Sequence, residues 1–300
     1  MKGFVIVNKP KGMTSSDVVV IVRGILRKAS GQKQKVGHLG TLDPQGTGVL
    51  PVAVGNATRL FDYLQDKTKV YQATFVFGTE TDTLDTDGQV ISTFPILPTA
   101  KQIDDILPSL CGEIDQIPPM YSAKSVNGQR AYDLARKGVK VELKPKRIRI
   151  DSIKRIDDGN GNAVLQNGNK KLARGEFAFE IKCSGGTYIR SVARDMANAL
   201  GTVAYMSSIH RIQNGSFEIE NSVSISDFEK EPFRYLKSID ECLPNFARFD
   251  LPSQLSDKVL NGVKVKCDNL PDGDFFVQLN GEILGIGQNR DGELRMKTRL

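Results

Sequence analysis

Apolar residues recur along this chain with two different spacings, and the two spacings predict a mixture of strands and helices. Apolar runs and alternating patterns predict strands over residues 4–7, 70–77, 147–156 and 177–183. Apolar residues three and four apart predict helices that begin at Thr14 or Ser15 and at Thr99, and that span residues 57–64, 188–200 and 226–236. The sequence therefore predicts an α+β fold, in which a mixed sheet is flanked by helices.

Three of these segments give more specific expectations. Residues 70–77 alternate, with Tyr71 on the apolar face and polar residues on the other, which predicts a half-buried strand. Ser226 followed by Glu229 has the spacing of a capping box and is predicted to open the last of these helices. Residues 157–175 are polar and rich in Gly and Asn, so we expect a hairpin tip that tolerates substitution.

The pattern changes after Asp240, where short strands are broken by Gly and Asn. This change predicts a compact β-rich module that begins near Asn245. A chain of 300 residues and 33.0 kDa, with 39% hydrophobic and 25% charged residues, is long enough for one large domain beside this small one.

No apolar run approaches the ~20 residues of a membrane span. Lys9 and Lys11 interrupt the first apolar run before it resembles a signal peptide.

Cysteine and histidine are few and scattered. The chain has two histidines and four cysteines, none of them in Cys-x-x-Cys spacing. This argues against a structural zinc and against a disulfide framework, and it favours a cytoplasmic protein with reduced thiols. Any chemistry then proceeds without a protein-bound metal, or with one held by carboxylates alone.

The positive charge is concentrated in one stretch. The whole chain carries +6, with a pI near 9.0. Between Lys124 and Arg155, eleven basic residues face three acidic ones, a net +8. A solvated helix face is the usual explanation of a charge run. An excess of one sign that spreads over two elements and a loop is better explained by a polyanion such as RNA.

Residues 37–52, GHLGTLDPQGTGVLPV, place one carboxylate, Asp43, in a Gly-rich loop that an apolar run follows. Pro44 restricts the backbone directly after the acid. An Asp-Pro pair in such a loop is typical of a tight turn, but this loop is much longer than a turn requires. It also lacks the Gly-Lys-Ser/Thr ending of a phosphate-binding P-loop. The acidic residues 82–87 lack the spacing of a calcium loop.

The loop around Asp43 resembles the catalytic motif of the TruB family of tRNA pseudouridine(55) synthases. Four further motifs occur in that family's order over about residues 3–215: KPKGMTS at 9–15, TDTLDTDG at 81–88, PPMYSA at 118–123 and GTYIR at 186–190. The resemblance implies a pseudouridine synthase-type catalytic domain, with a mixed or antiparallel sheet, over residues 1–244. It also implies a thumb-like RNA-binding insertion at about 119–150 and a small PUA-like RNA-binding domain at 245–300.

What the resemblance implies about function is specific. It implies conversion of one uridine in the tRNA T-loop to pseudouridine without a cofactor. No membrane and no protein partner are expected, and a monomer is the default expectation. A carboxylate suits this reaction because it can attack carbon, remove a proton or stabilise positive charge at the ribose. The resemblance assigns this role to Asp43, with Arg190 keeping the carboxylate ionised and oriented. It assigns His38 to the gap left by the flipped base, and Tyr71 to stacking on that base.

Other positions of the family match less directly. Tyr188 and Ile209 match positions that line the uridine pocket, and Asp85 is expected either to support the site from behind or to contact RNA. His210 stands where the family usually has an arginine, and we expect it at the surface. Gly46 stands where relatives usually carry alanine. The expected RNA contacts on the insertion are Lys124, Arg130, Arg136, Lys137, Lys146 and Arg147.

Several alternatives stay open at this point. Apart from the motif match, Arg190 is typical of a surface helix and Tyr71 of core packing. The chain can be a non-catalytic protein that binds or folds tRNA, or a pseudouridine synthase that acts on another RNA. The sequence also leaves open whether Asp43 attacks the ribose, attacks the base or removes a ribose proton.

Overall fold

The computed structural model describes residues 1–64, 67–121, 143–158, 161–267 and 269–300, together with the backbone of residues 125–126 and 129–130. The strands in chain order are β1 Gly3–Lys9, β2 Val36–His38, β3 Thr47–Val54, β4 Lys69–Phe77, β5 Thr79–Thr81, β6 Val90–Thr93, β7 Gly112–Gln116, β8 Ser125–Val126, β9 Gln129–Arg130, β10 Lys146–Arg155, β11 Asn162–Leu165, β12 Gly168–Lys171, β13 Glu176–Cys183, β14 Ala204–Asn214, β15 Phe217–Glu218, β16 Arg248–Asp250, β17 Val265–Lys266, β18 Gly273–Leu279, β19 Glu282–Arg290 and β20 Glu293–Arg299. The α-helices are α1 Ser15–Ser30, α2 Ala100–Ile106, α3 Ile189–Ala199, α4 Ile225–Lys230, α5 Ile239–Cys242 and α6 Ser256–Leu260. Short 3-10 helices are formed by Gly55–Tyr63, Leu107–Leu110, Ile219–Asn221 and Ser253–Leu255.

One mixed sheet forms the centre of the larger part of the chain. Its strand order is β1-β3-β14-β4-β13-β10-β7, with β2 paired to β3 and β15 paired to β14. Strands β3 and β14 are parallel, with His210 beside Thr47, whereas the other pairs in this sheet are antiparallel. The structure thus confirms the predicted α+β fold with a mixed, mainly antiparallel sheet.

The apolar face of this sheet packs against helices. Phe75 of β4 and Phe179 of β13 are fully buried, with ring centroids 5.0 Å apart. They share one core cluster with Ile103 of α2 and Val192 of α3. Alternate side chains of a strand point to the same face, so the apolar alternation read from the sequence becomes this helix-covered layer.

The opposite face of β4 is buried as well, so the prediction of a half-buried strand was wrong. Gln72 and Thr74 are 8% and 0% exposed. The hairpin formed by β11 and β12 covers them and supplies their polar partners. The backbone N–H of Gln166 donates to Gln72 Oε1 at 2.7 Å, and Lys170 Nζ donates to Thr74 Oγ1 at 3.0 Å.

Residues 157–175 form the predicted hairpin, with strands β11 and β12, and most of its described residues are exposed. Its inner side nevertheless contacts the sheet through polar side chains. Lys170 also pairs with Glu176 Oε1 at 2.6 Å, and Ser207 Oγ donates to the same oxygen at 2.5 Å. Burial acts to raise the pKa of Glu176. The hydrogen bonds from Lys170, Ser207 and the Ala173 backbone outweigh that effect and hold the pKa below its usual range. The hairpin closes a buried polar layer behind strands β4 and β14.

Helix ends follow the capping chemistry of the sequence, with one correction. Thr14, one of the two predicted caps, is the N-cap of α1, and it forms a capping box with Asp17. Ser224, two residues before the predicted Ser226, caps α4, which ends at Lys230. The predicted capping box at Ser226 and helix over 226–236 were therefore wrong. Residues 57–64 were predicted helical, and all of them except Leu64 fall in the Gly55–Tyr63 3-10 helix.

The C-terminal strands form a second sheet, in the order β16-β18-β19-β20-β17. Phe276 and Ile286 of this sheet belong to the same apolar cluster as Phe4 of β1. The β-rich character of this end of the chain was predicted correctly, and the domain division at 244/245 stays a prediction. Among the helices of the described residues, none combines the length and the hydrophobicity of a membrane span.

The buried carboxylate of Glu176 generates the first testable prediction. Glu176→Gln should lower the free energy of unfolding by about 1–3 kcal/mol at pH 7. The charge that strengthens the bonds from Lys170 and Ser207 to Oε1 is lost, and the amide nitrogen cannot accept from the Ala173 N–H that bonds Oε2. A carboxyl group whose pKa is lower in the folded than in the unfolded protein stabilises the folded state. That contribution is fully present above the unfolded pKa, about 4.3, and is lost as the pH falls through the folded pKa. Urea unfolding should therefore show a difference from wild type that is full at pH 7 and vanishes in acid.

Glu229 is exposed and provides the matched control. Glu229→Gln should leave the free energy of unfolding within about 0.5 kcal/mol of wild type at both pH values. A Glu176→Gln deficit that stays constant with pH would show that the charge of Glu176 is not responsible.

Candidate active site

A cavity of about 240 Å³ opens where the Asp43 loop meets β4, β14 and the start of α3. The residues predicted from the sequence that line it are Asp43, Tyr71, Tyr188, Arg190 and Ile209. His38 and Asp85 lie outside this lining. The structure thus brings together five of the predicted residues, from four separate parts of the chain.

Asp43 and Arg190 form an ion pair at the mouth of the cavity. Arg190 Nη2 lies 2.8 Å from Asp43 Oδ2. The Asp43 side chain is 47% exposed and the Arg190 side chain only 7%. The carboxylate therefore stays accessible to a ligand while the buried guanidinium fixes one of its oxygens. The alternative of a surface helix arginine does not hold for Arg190.

Arg190 is itself held from behind by a second carboxylate. Its Nη1 lies 3.1 Å from Asp85 Oδ2 and donates to the Thr83 carbonyl at 3.0 Å. Nη2 also donates to the Tyr121 carbonyl at 3.0 Å. Asp85 is buried, and its other oxygen accepts from Thr83 Oγ1 and from the Asp87 N–H. Of the two roles expected for Asp85, this geometry favours support of the site from behind.

The loop that carries Asp85 has an unusual backbone. Leu84 has φ +61°, a left-handed conformation that few non-glycine residues adopt. With this conformation, the Thr83 carbonyl and the Asp85 carboxylate both contact Nη1 of Arg190. The Leu84 carbonyl accepts from Met206 N at 3.0 Å, and Gln45 Nε2 donates to Asp87 Oδ1 at 2.6 Å. These contacts join the loop to β14 and to the Asp43 loop.

The residues on either side of Asp43 are fixed by the N-terminal motif at residues 9–15. Ser15 Oγ donates to the Leu42 carbonyl at 3.0 Å and accepts from the Leu42 N–H at 2.8 Å. Lys9 Nζ donates to the Pro44 carbonyl at 3.2 Å and to the Met13 carbonyl at 2.5 Å. Burial lowers the pKa of Lys9 to about 8, against the raising effect of Asp43. The sequence identified this motif but gave it no role.

A buried arginine that the sequence analysis missed lies beneath the cavity. Arg211 is fully buried, and its Nε donates to the Val49 carbonyl at 2.7 Å and its Nη2 to the Gly40 carbonyl at 2.9 Å. It lies opposite Tyr71 in the pairing of β14 with β4. Burial raises the pKa of Tyr71, which keeps the phenol neutral. Arg211 directly follows Ile209 and His210, which were compared with the family's motif from the sequence. Its place beside those two residues was the signal from which it could have been identified.

The two histidines differ in their hydrogen-bond partners. His38 is half-buried, and its Nδ1 has no hydrogen-bond partner among the described residues. Burial, followed by the charge of Arg211, lowers the pKa of His38, so the ring is neutral near pH 7. The expectation that His210 lies at the surface was wrong. It is 5% exposed, and its Nδ1 lies 2.7 Å from Thr47 Oγ1.

The predicted RNA contacts are only partly covered by the structure. Lys124, Arg136 and Lys137 lie outside the described residues, and Arg130 is described by its backbone alone, paired with Ser125. Lys146 is exposed. Arg147 is exposed and pairs with two carboxylates. Its Nη2 lies 3.0 Å from Glu113 Oε2, and its Nη1 lies 3.1 Å from Asp115 Oδ2. In the described part of the chain, no cluster of His, Cys, Asp or Glu is placed to hold a metal ion.

Two glycines of the Asp43 loop generate a prediction with an internal control. Gly48 has φ +98°, and a Cβ there would lie 2.2 Å from the Arg211 carbonyl oxygen. A Cβ on Gly46 would lie 3.2 Å from the Asp43 carbonyl oxygen, which a small shift relieves. Gly48→Ala should therefore lower the free energy of unfolding by about 3 kcal/mol or more. Gly46→Ala should stay within about 1 kcal/mol of wild type.

Urea unfolding of the two variants, together with their activity, checks this prediction. Gly46→Ala should keep the activity, because the added methyl group requires only a small shift of its neighbours. Equal stability of the two variants would show that the close approach of β3 and β14 at Gly48 does not depend on glycine.

Comparison with known proteins agrees with this geometry. The family model described as the TruB family pseudouridylate synthase N-terminal domain matches residues 27–189. A tRNA pseudouridine synthase B of Clostridium kluyveri is 36% identical over 303 residues, which cover 99% of this chain and 98% of that protein. The protein of the same name from Lactobacillus johnsonii is 36% identical over 299 residues, 98% of this chain and 96% of that protein.

A solved structure supports the fold. A chain in the "Structure of H/ACA RNP bound to a substrate RNA containing 2'-deoxyuridine" aligns with a TM-score of 0.67 at 20% identity. The alignment covers 99% of this chain and 84% of that one. At 20% identity the match supports the fold alone, and it covers the part of the chain that forms both sheets. From the family model and the relatives of matching length, the chain belongs to the TruB family of pseudouridylate synthases.

Proposed function

We propose that this chain isomerises the uridine at position 55, in the T-loop of tRNA, and that Asp43 is the essential carboxylate. Its family and its relatives make it a pseudouridine synthase that acts on tRNA. The observation that carries the assignment to Asp43 is its half-exposed carboxylate, fixed 2.8 Å from buried Arg190 in a cavity beside Tyr71.

The reaction breaks the C–N glycosidic bond, turns the uracil and joins its C5 to the same ribose carbon. Whether the carboxylate attacks the ribose, attacks the base or removes a ribose proton, it must be ionised and held at the substrate. Arg190 supports all three routes, because one of its nitrogens faces Asp43 and the other faces Asp85. This fixed arrangement lets the carboxylate act without reorganising during the reaction.

The uridine must leave its stack to reach Asp43, at a cost of a few kcal/mol. We assign the ring of Tyr71 to stacking on the flipped base, which contributes about 1–3 kcal/mol. The buried Arg211 lies opposite Tyr71 in the pairing of β14 with β4 and adjoins that ring. Tyr188 and Ile209 are assigned to the walls of the base pocket. His38, neutral and outside the cavity lining, is assigned to the gap that the base leaves.

The rest of the proposal concerns how tRNA is bound. We assign the T-arm to the basic insertion at about 119–150, through Lys124, Arg130, Arg136, Lys137, Lys146 and Arg147. Because Glu113 and Asp115 neutralise Arg147 in the free protein, its share in binding is expected to be small. We assign residues 245–300 to a PUA-like RNA-binding domain. The protein is proposed to act in the cytoplasm as a monomer, without cofactor or protein partner.

A substrate labelled with tritium at uridine C5 tests this function, because bonding of C5 to the ribose must release the label. Wild type should release label from the T-loop of an unmodified tRNA transcript. Asp43→Asn should lower the rate roughly 10³-fold or more, while tRNA affinity stays within about threefold, since no phosphate contact is removed. Tyr71→Leu and Arg190→Ala should also be severe, by about 10²-fold or more.

Asp62→Asn is the matched control, because Asp62 is an exposed aspartate outside the cavity, and it should release label like wild type. Release that continues unimpaired in Asp43→Asn would overturn the assignment. Tight, salt-dependent binding of tRNA without release by wild type would make the chain a binding protein, and release from another RNA alone would change the substrate.

A further inference from the structure

Lys69 has a position that the proposed chemistry does not use. It is the first residue of β4, two positions before Tyr71, and it lines the same cavity as Asp43. Its ammonium group forms no hydrogen bond or ion pair with any residue in the described part of the chain. The same holds, among the described residues, for the exposed Lys146 at the start of β10.

The charges around Lys69 are of the same sign. Burial, followed by the charges of Arg211 and Lys146, lowers the pKa of Lys69 to about 8. The thiol of Cys183 lies nearby, and burial raises its pKa to about 11, so it is neutral at pH 7. The nearest carboxylate of the cavity lining, Asp43, is paired with Arg190. A half-buried cation among other cations is unfavourable unless an anion joins it.

Glycines keep the two ammonium groups uncovered. A Cβ on Gly40 would lie 3.3 Å from Lys69 Nζ, and one on Gly185 would lie 3.8 Å from it. At Gly186, a Cβ would lie 2.0 Å from Lys146 Nζ, so Lys146 passes over the backbone where a side chain would stand. Gly186 also belongs to the cavity lining. The loop at 185–186 thus places both ammonium groups at one side of the cavity.

We propose that Lys69 and Lys146 form a phosphate subsite, which binds a backbone phosphodiester next to the uridine that enters the cavity. The inference rests on the proposed function, since it takes the ligand to be RNA. A nucleotide whose ribose reaches Asp43 brings its own phosphates to the edge of the cavity. Lysine binds phosphate as a point charge. Holding that phosphate would fix the ribose against Asp43 and neutralise the uncompensated cations.

Stem-loop oligonucleotides with a single uncharged methylphosphonate at each loop position in turn are the probe. At one position next to the target uridine, neutralisation should weaken wild-type binding roughly tenfold. Lys69→Gln should already bind the unmodified oligonucleotide roughly tenfold more weakly than wild type does. Neutralising that same phosphate should not weaken its binding further. All other positions should affect both proteins equally. The slope of log affinity against log salt should fall by about 0.7 for Lys69→Gln, as for one single-strand phosphate.

Control variants separate this contact from general electrostatics and from folding. Lys67→Gln removes an exposed charge two residues away and should show no position-dependent coupling. Lys69→Arg should retain most of the coupling, because it retains the charge. Urea unfolding of Lys69→Gln should be as stable as wild type or more so, since the free protein loses a repelled cation. Lower stability of Lys69→Gln would indicate a structural role and would count against the subsite.

The same oligonucleotides, labelled with tritium at uridine C5, keep the two proposals distinguishable. Label release by wild type with no position-specific coupling to Lys69 would overturn the phosphate subsite and leave the proposed function intact. Coupling at one phosphate without release would support the subsite and overturn the proposed function. If Lys69→Gln lowers the affinity by the same factor for every methylphosphonate oligonucleotide, Lys69 attracts RNA only at long range and the subsite is overturned.

Discussion

The arrangement of the site depends on one buried arginine that two carboxylates share. Arg190 faces Asp43 with one nitrogen and Asp85 with the other, and the two aspartates come from separate loops. Asp85 and the Thr83 and Tyr121 carbonyls satisfy the buried side of the guanidinium. Only Asp43 is left half-exposed, so the pair presents one oriented carboxylate to the cavity and keeps the cation away from water.

A carboxylate in a long, Gly-rich loop needs its backbone fixed as well as its charge paired. Carbonyl groups of the loop point inward, where Lys9 and Arg211 donate to them. Ser15 holds Leu42 in both directions. Cations and a hydroxyl from distant segments therefore add to the backbone hydrogen bonds of this loop, such as the one from the Gly46 N–H to the Asp43 carbonyl. Gly48 allows β14 to approach closely enough for Arg211 to reach these carbonyls.

The sequence was informative where the signal is local or lies in a motif, and less so where it depends on which segments meet. Alternation and capping residues predicted β4, β13 and α1, and the motifs predicted that Asp43 and Arg190 would meet. The burial of Gln72 was missed because a polar hairpin, eighty or more residues later in the chain, covers it. Arg211 and His210 were missed for the same reason, because an isolated charged or polar residue on a strand does not reveal the segment beneath it.

The cations of the cavity divide into two groups by the partners they have. Arg190 is neutralised by carboxylates, and Lys9 and Arg211 donate to carbonyl groups, so each is satisfied within the free protein. Lys69 and Lys146 have no such partner among the described residues, although they lie beside the same cavity. Buried polar groups are normally satisfied, and the residues that hold the loop obey that rule. The half-buried Lys69 departs from it, on the side of the cavity that a polyanionic substrate must approach, where unpaired positive charge serves binding rather than folding.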